Sequence, residues 1–145
     1  MENRVNPIPE GPFISERAPE AVGPYPSARR VGNLLFISGM GPRKRGQEGI
    51  PGVTFDEAGE VVSHDIEVQT RSVFDNVRYV LEDAGSAWER IVDITVFLTD
   101  MDDFERMNAV YAEALAHVKP ARTTVQVSRL PRPIHIELKV IATIG

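Results

Sequence analysis

The chain has 145 residues and a formal charge of −5, with 42% hydrophobic and 26% charged residues; this composition suits one folded domain and excludes wholesale disorder. It contains no cysteine, which removes disulfides, a thiolate nucleophile, zinc ribbons and iron–sulfur ligation together. An acidic chain with a pI near 5.2 is a poor match to a phosphate backbone, no apolar run is long enough to span a bilayer, and Met1–Pro7 lacks the apolar stretch of a signal peptide, so a cytoplasmic protein without nucleic-acid or membrane partners is expected.

Residues 1–26 carry Pro7, Pro9, Pro12, Pro19, Pro24 and Pro26, and proline both removes a donor and restrains its predecessor, so an extended arm is expected there. Residues 27–39 read as a hairpin that turns at Gly32-Asn33 and returns through Leu34-Leu35-Phe36-Ile37. From Met40 to Glu60 glycine and proline interrupt any pattern, which predicts a long loop with a short strand at Val53-Thr54-Phe55.

Residues 65–84 give the clearest helix, because Ile66, Thr70, Val73, Phe74, Val77, Leu81 and Ala84 recur at three- and four-residue spacing. Ser63 or Asp65 is its expected cap and Gly85 its stop. Ile91–Leu98 alternates, with Ile94, Val96 and Leu98 on one side and Asp93, Thr95 and Phe97 on the other, as in a strand. A second helix is predicted over about 103–116, capped by Asp102 with Glu105 and ended by Pro120. Strands at 122–130 and 134–143 follow, joined by a tight turn at Pro131-Arg132-Pro133. The order β-β-(β)-α-β-α-β-β predicts an α+β sandwich, a mixed sheet with two helices on one face.

Little chemistry is legible from motifs. His64, His117 and His135 lack partners at metal-ligand spacing, and no GxSxG elbow, phosphate-binding loop or HExxH is present. Arg29-Arg30 and Arg43-Lys44-Arg45 read first as solvated turns. Arg122 opening a Thr/Val-rich strand and Glu137 interrupting an apolar one stand out.

At these positions the sequence resembles the Rid (YjgF-like) family of enamine and imine deaminases. Gly23-Pro24-Tyr25, Phe36-Ile37-Ser38-Gly39, Gln69-Thr70, Asn76-Val77, Val96–Phe104 and Asn108-Ala109-Val110-Tyr111 match its motifs in order, followed by Pro120–Val125, Leu130-Pro131 and Ile136-Glu137-Leu138. The resemblance implies a chorismate-mutase-like fold and a homotrimer with clefts between subunits, acting on a small carboxylate-bearing substrate without cofactor or metal. By motif position, Arg122 binds the substrate carboxylate and Glu137 holds the attacking water, while Tyr25, Ser38 and Thr124 contribute to substrate binding. Met40 after Ser38-Gly39 and Thr123-Thr124 after Arg122 resemble the 2-aminomuconate deaminase-like branch. Its substrate has two carboxylates, so a second cation is expected from Arg43, Lys44 or Arg45, or from Arg129.

An antiparallel return through the 131–133 turn would set Glu137 level with Val127. That places Arg122 five residues, or about 16 Å, further along and implies that the two meet only across subunits. A non-catalytic binding or chaperone-like protein on the same fold is the alternative reading. A ribonuclease fits the acidic charge poorly.

Overall fold

A computed structural model describes residues 5–145, and in it the strands are β1 (Gly11–Phe13), β2 (Ala28–Val31), β3 (Leu34–Met40), β4 (Val53–Phe55), β5 (Val61–His64), β6 (Ile91–Leu98), β7 (Ala121–Gln126) and β8 (Ile136–Thr143). The helices are α1 (Ile66–Asp83) and α2 (Phe104–Leu115). Six strands form one mixed sheet in the order β1-β2-β3-β8-β6-β7, while β4 and β5 make a separate hairpin. The expected α+β sandwich is present. Its predicted strand at 53–55 pairs with β5, which alternation did not mark because Val61-Val62-Ser63 is mostly exposed.

The helix stripe behaves as its spacing requires. Val73, Val77, Val80 and Leu81 of α1 are fully buried against Leu35, Ile37, Val140 and Ala142 of the sheet. Asp65 caps α1 by accepting from the backbone N–H groups of Glu67 and Val68. The helix stops at Gly85, where φ is +81° and a Cβ would come within 2.6 Å of Pro7, so only glycine fits. Before α2 the predicted Asp102–Glu105 cap is replaced: a short 3-10 turn at Met101–Asp103 starts with Asp100, whose side chain accepts from the N–H of Asp102. Asp103, at the head of α2 itself, makes no side-chain cap.

The arm is partly a strand. Gly11–Phe13 pairs antiparallel with β2, and the expected extended segment over 1–4 lies outside the described residues.

The largest correction concerns the last two strands. β7 ends at Gln126 and pairs in parallel with β6; β8 pairs antiparallel with the other side of β6. The Pro131-Arg132-Pro133 connection is therefore no hairpin turn, and Glu137 lies level with Val125 across an intervening strand (Glu137 opposite Phe97, Phe97 opposite Val125) instead of beside Val127. Strands adjacent in sequence usually pair, but here α2 is the crossover that a parallel β6–β7 pair needs.

Both helices cover one face of the sheet. The other face, which carries Phe36, Ser38, Thr95, Phe97, Glu137, Lys139 and Ile141, has no helix over it and is only half-buried in the single chain.

Candidate active site

The residues singled out by sequence fall into two groups. The first surrounds the end of β3. Here β3 bulges: Ile37 pairs with Val140 and Met40 with Leu138, so Ser38 and Gly39 both lie opposite Lys139. Ser38 is anchored by its N–H to the Ser27 carbonyl (2.9 Å) and by its hydroxyl, which donates to the Pro26 carbonyl (2.7 Å). Glu137 lies over Gly39, where a Cβ would sit 2.7 Å from Oε2, so the missing side chain is what admits the carboxylate. Burial raises the Glu137 pKa above its ordinary carboxylate value. A shallow cleft beside it is lined by Tyr25, Pro26, Ser38, Gly39, Met40 and Arg43. Tyr25 is 42% exposed, its hydroxyl accepting from the Val22 N–H (3.3 Å).

Arg43 is the one loop cation that lines this cleft, its guanidinium donating to the Glu20 carbonyl (3.1 Å). Its neighbours are tied into the fold. Arg45 donates to the carbonyls of Ala18 and Ser15 and pairs with Glu20, while Lys44 donates to the Ser72 carbonyl and to Asn76 Oδ1. Asn76 in turn donates to the carbonyls of Gly41 and Arg43, and Ser72 to that of Pro42. The buried polar side of α1 thus clamps the loop backbone that presents Arg43.

The second group lies at the sheet's far edge. Arg122 of β7 is opposite Ile94, which is opposite Val140, which is opposite Ile37. Those three partners are buried on the helix side, so Arg122 points toward α2. Its guanidinium lies 4.6 Å from the Tyr111 ring centre and 5.6 Å from that of Phe104, and Nη1 donates to Asn108 Oδ1 at 2.6 Å. Asn108 and Tyr111 sit one turn apart on α2 and hold the guanidinium in place. Asn108 falls in a family motif and Tyr111 on the apolar stripe of α2, but nothing in a helix's periodicity says that a strand arginine docks on them. Thr124 shares this face, and its hydroxyl and that of Tyr111 are buried without hydrogen-bond partners among the described residues. Arg129 is in neither group; it borders a separate open hollow with Thr99, Ser128, Arg132 and His135.

Three strand spacings separate Arg122 from Ile37, the residue before Ser38, or roughly 14 Å at about 4.8 Å per strand. One group presents a fixed guanidinium, and the other a carboxyl of raised pKa beside a hydroxyl and an exposed phenol. No set of metal-ligating side chains is found among the described residues.

The family described as Endoribonuclease L-PSP matches residues 15–144. A RutC family protein of Pyrococcus horikoshii is 43% identical over 130 residues, which span 90% of this chain and 94% of that protein. The chloroplastic Reactive Intermediate Deaminase A of Arabidopsis thaliana is 36% identical over 90% of this chain and 64% of its own length. Among solved structures, the YjgF gene product of E. coli superposes with a TM-score of 0.80 at 32% identity, covering 94% of this chain and all of that one.

Proposed function

Because the chain belongs to the Endoribonuclease L-PSP family, that is, the Rid or YjgF-like proteins, we propose that it is a hydrolytic deaminase of enamine and imine acids. The observation that carries this reading is the pair of complementary half-sites. A guanidinium held on Asn108 and Tyr111 suits a carboxylate, and a half-buried carboxyl over Gly39 suits the handling of a water. The name of the Arabidopsis relative supports the same class of chemistry.

In this reading the substrate carboxylate binds Arg122 through two charge-assisted hydrogen bonds, which fixes the adjacent C=N group. An enamine first tautomerises to its imine. Glu137 accepts a proton from water as the oxygen adds to the imine carbon, then passes that proton to the nitrogen. The hydroxyl proton of the tetrahedral carbinolamine then moves to its nitrogen as C=O forms and the C–N bond breaks, so ammonia leaves and a 2-oxo acid results. No metal or cofactor is required by this path.

Arg122 and Glu137 are brought together by a homotrimer whose clefts each take Arg122 and Thr124 from one subunit and Glu137, Ser38 and Tyr25 from the next. The half-buried, helix-free sheet face is the surface such an assembly would cover. Arg43 gives this cleft a second cation, which suits a dicarboxylate such as 2-aminomuconate. Ammonia release is the test, measured on 2-aminomuconate and on 2-imino acids generated in situ by an amino-acid oxidase. Turnover above the spontaneous rate, lost in Glu137→Gln, is expected; equal rates with and without protein on every substrate would reject the deaminase and leave a binding protein.

A further inference from the structure

Lys139 is a residue that the chemistry above does not use. It lies two positions from Glu137 on the same helix-free face of β8, and its Nζ donates to the carbonyl of Ile37 at 2.7 Å. Ile37 is where β3 leaves its regular pairing with β8, and the bulged residues Ser38 and Gly39 stand opposite Lys139 itself. Among the described residues no carboxylate lies within 4 Å of this ammonium, and burial lowers its pKa. A half-buried lysine with no ion-pair partner among the described residues is an expensive way to bridge two strands, since an apolar side chain would pack on that face at less cost. What the lysine supplies, and an apolar side chain does not, is a donor at the root of the bulge.

We propose that Lys139 is a positioning residue for the Glu137 half of the site: its ammonium pins the β3 bulge, and so holds Gly39 beneath the Glu137 carboxylate. The proposal rests on the reading of Glu137 as the proton-handling group. It extends that reading by saying how the carboxyl keeps its half-buried setting. The bulge sets how closely the β3 backbone at Gly39 approaches the carboxylate, and that backbone is part of the burial that raises its pKa. The other charged groups on this face are Arg29 of β2, opposite Phe36, and Asp93 of β6, opposite Ile141. Ser38 of β3, Thr95 and Phe97 of β6, and Thr123 of β7 are uncharged there, and Arg43 reaches the cleft from the loop.

The sign of one measurement separates pinning from a simple charge effect. Carbon-detected NMR of the full chain, with the Glu137 carboxyl assigned by Glu137→Gln, is titrated for the unmutated protein and for Lys139→Met. A loosened bulge lets water reach the carboxylate, so its titration midpoint in Lys139→Met should fall toward the ordinary range by about half a pH unit or more. The Ser38 and Gly39 amide peaks should shift with it. Loss of a nearby positive charge would instead move the midpoint up. An upward move, or an unchanged midpoint with unmoved Ser38 and Gly39 peaks, overturns the proposal. Lys139→Leu, which carries no donor, takes the same test if the methionine variant does not fold. The readout needs no turnover, so an inactive protein would reject the deaminase and leave this proposal standing or falling by itself.

Discussion

Arg122 and Glu137 leave the sheet on opposite faces, Arg122 toward α2 beside buried Ile94 and Glu137 away from the helices opposite Phe97. Two strand spacings and three residues of register also separate them, since Glu137 is level with Val125. No rotamer change brings both to one small substrate within a single chain. If both act on the same molecule, a second copy supplies one of them.

Among the described residues Arg122 makes one hydrogen bond and faces two aromatic rings, which leaves the rest of its N–H fork for a carboxylate. An ammonium keeps the charge and loses the fork. Arg122→Lys should therefore lower kcat/KM by roughly ten- to a hundredfold, as expected for one or two charge-assisted hydrogen bonds. Circular dichroism should show a melting temperature within a few degrees of the original. Turnover close to the unmutated level, on whichever substrate is active, would remove Arg122 from the site.

The loop cations should separate by role. Arg43→Ser should raise KM for a dicarboxylate more than for a monocarboxylate imine, with little effect on melting. Arg45 ties the arm to the loop through Ala18, Ser15 and Glu20, so Arg45→Ser should lower stability and leave the ratio of the two substrates unchanged. Equal KM changes on both substrates for Arg43→Ser would make Arg43 a solvated residue of the loop.

His135 carries a pH dependence of stability. His64 and His135 stack with ring centres 3.7 Å apart, and His64 Nε2 lies 2.9 Å from Asp103 Oδ2. Gln69 is oriented by backbone on two sides, its oxygen accepting from the His135 N–H and its nitrogen donating to the Gly52 carbonyl. The same nitrogen lies 2.9 Å from His135 Nδ1, which must therefore accept and stay unprotonated. Burial lowers the His135 pKa, the nearby His64 lowers it further, and Asp103 opposes the shift. Below the unfolded value of about 6.5 the unfolded chain thus binds more protons than the folded one, so stability is full above that pH and is lost as pH falls through the window beneath it. Melting temperatures measured between about pH 7.5 and 5 should decline more steeply for the unmutated chain than for His135→Gln. Parallel curves would show that His135 contributes nothing to the slope.

Much of this arrangement is legible in the sequence, and the gaps have physical causes. The stripe from Ile66 to Leu81 and the alternation of Ile91–Leu98 predict buried faces because helix and strand periodicity act locally. Asp65 and Gly85 are readable as cap and stop for the same reason. The pairing of β7 is not local: nothing in Arg122–Gln126 says that its neighbour is β6, reached through α2, and the hairpin expected at Pro131-Arg132-Pro133 fails there. The motif positions mark Arg122, Glu137, Tyr25 and Ser38, and the structure groups the last three around the β3 bulge. The tie between Arg122 and Asn108, and the difference between Arg43 and its two neighbours, depend on side chains meeting across elements and carry no sequence period.

The central claim, one site assembled from two copies, is tested most directly by mixing two inactive variants. Arg122→Ala and Glu137→Ala are unfolded together and refolded, and light scattering with mass spectrometry establishes that mixed trimers have formed. In a mixed trimer some clefts join an intact Arg122 of one subunit to an intact Glu137 of another, so ammonia release should return to a measurable fraction of the unmutated rate. Mixed trimers that stay as inactive as either variant alone would contradict the shared site.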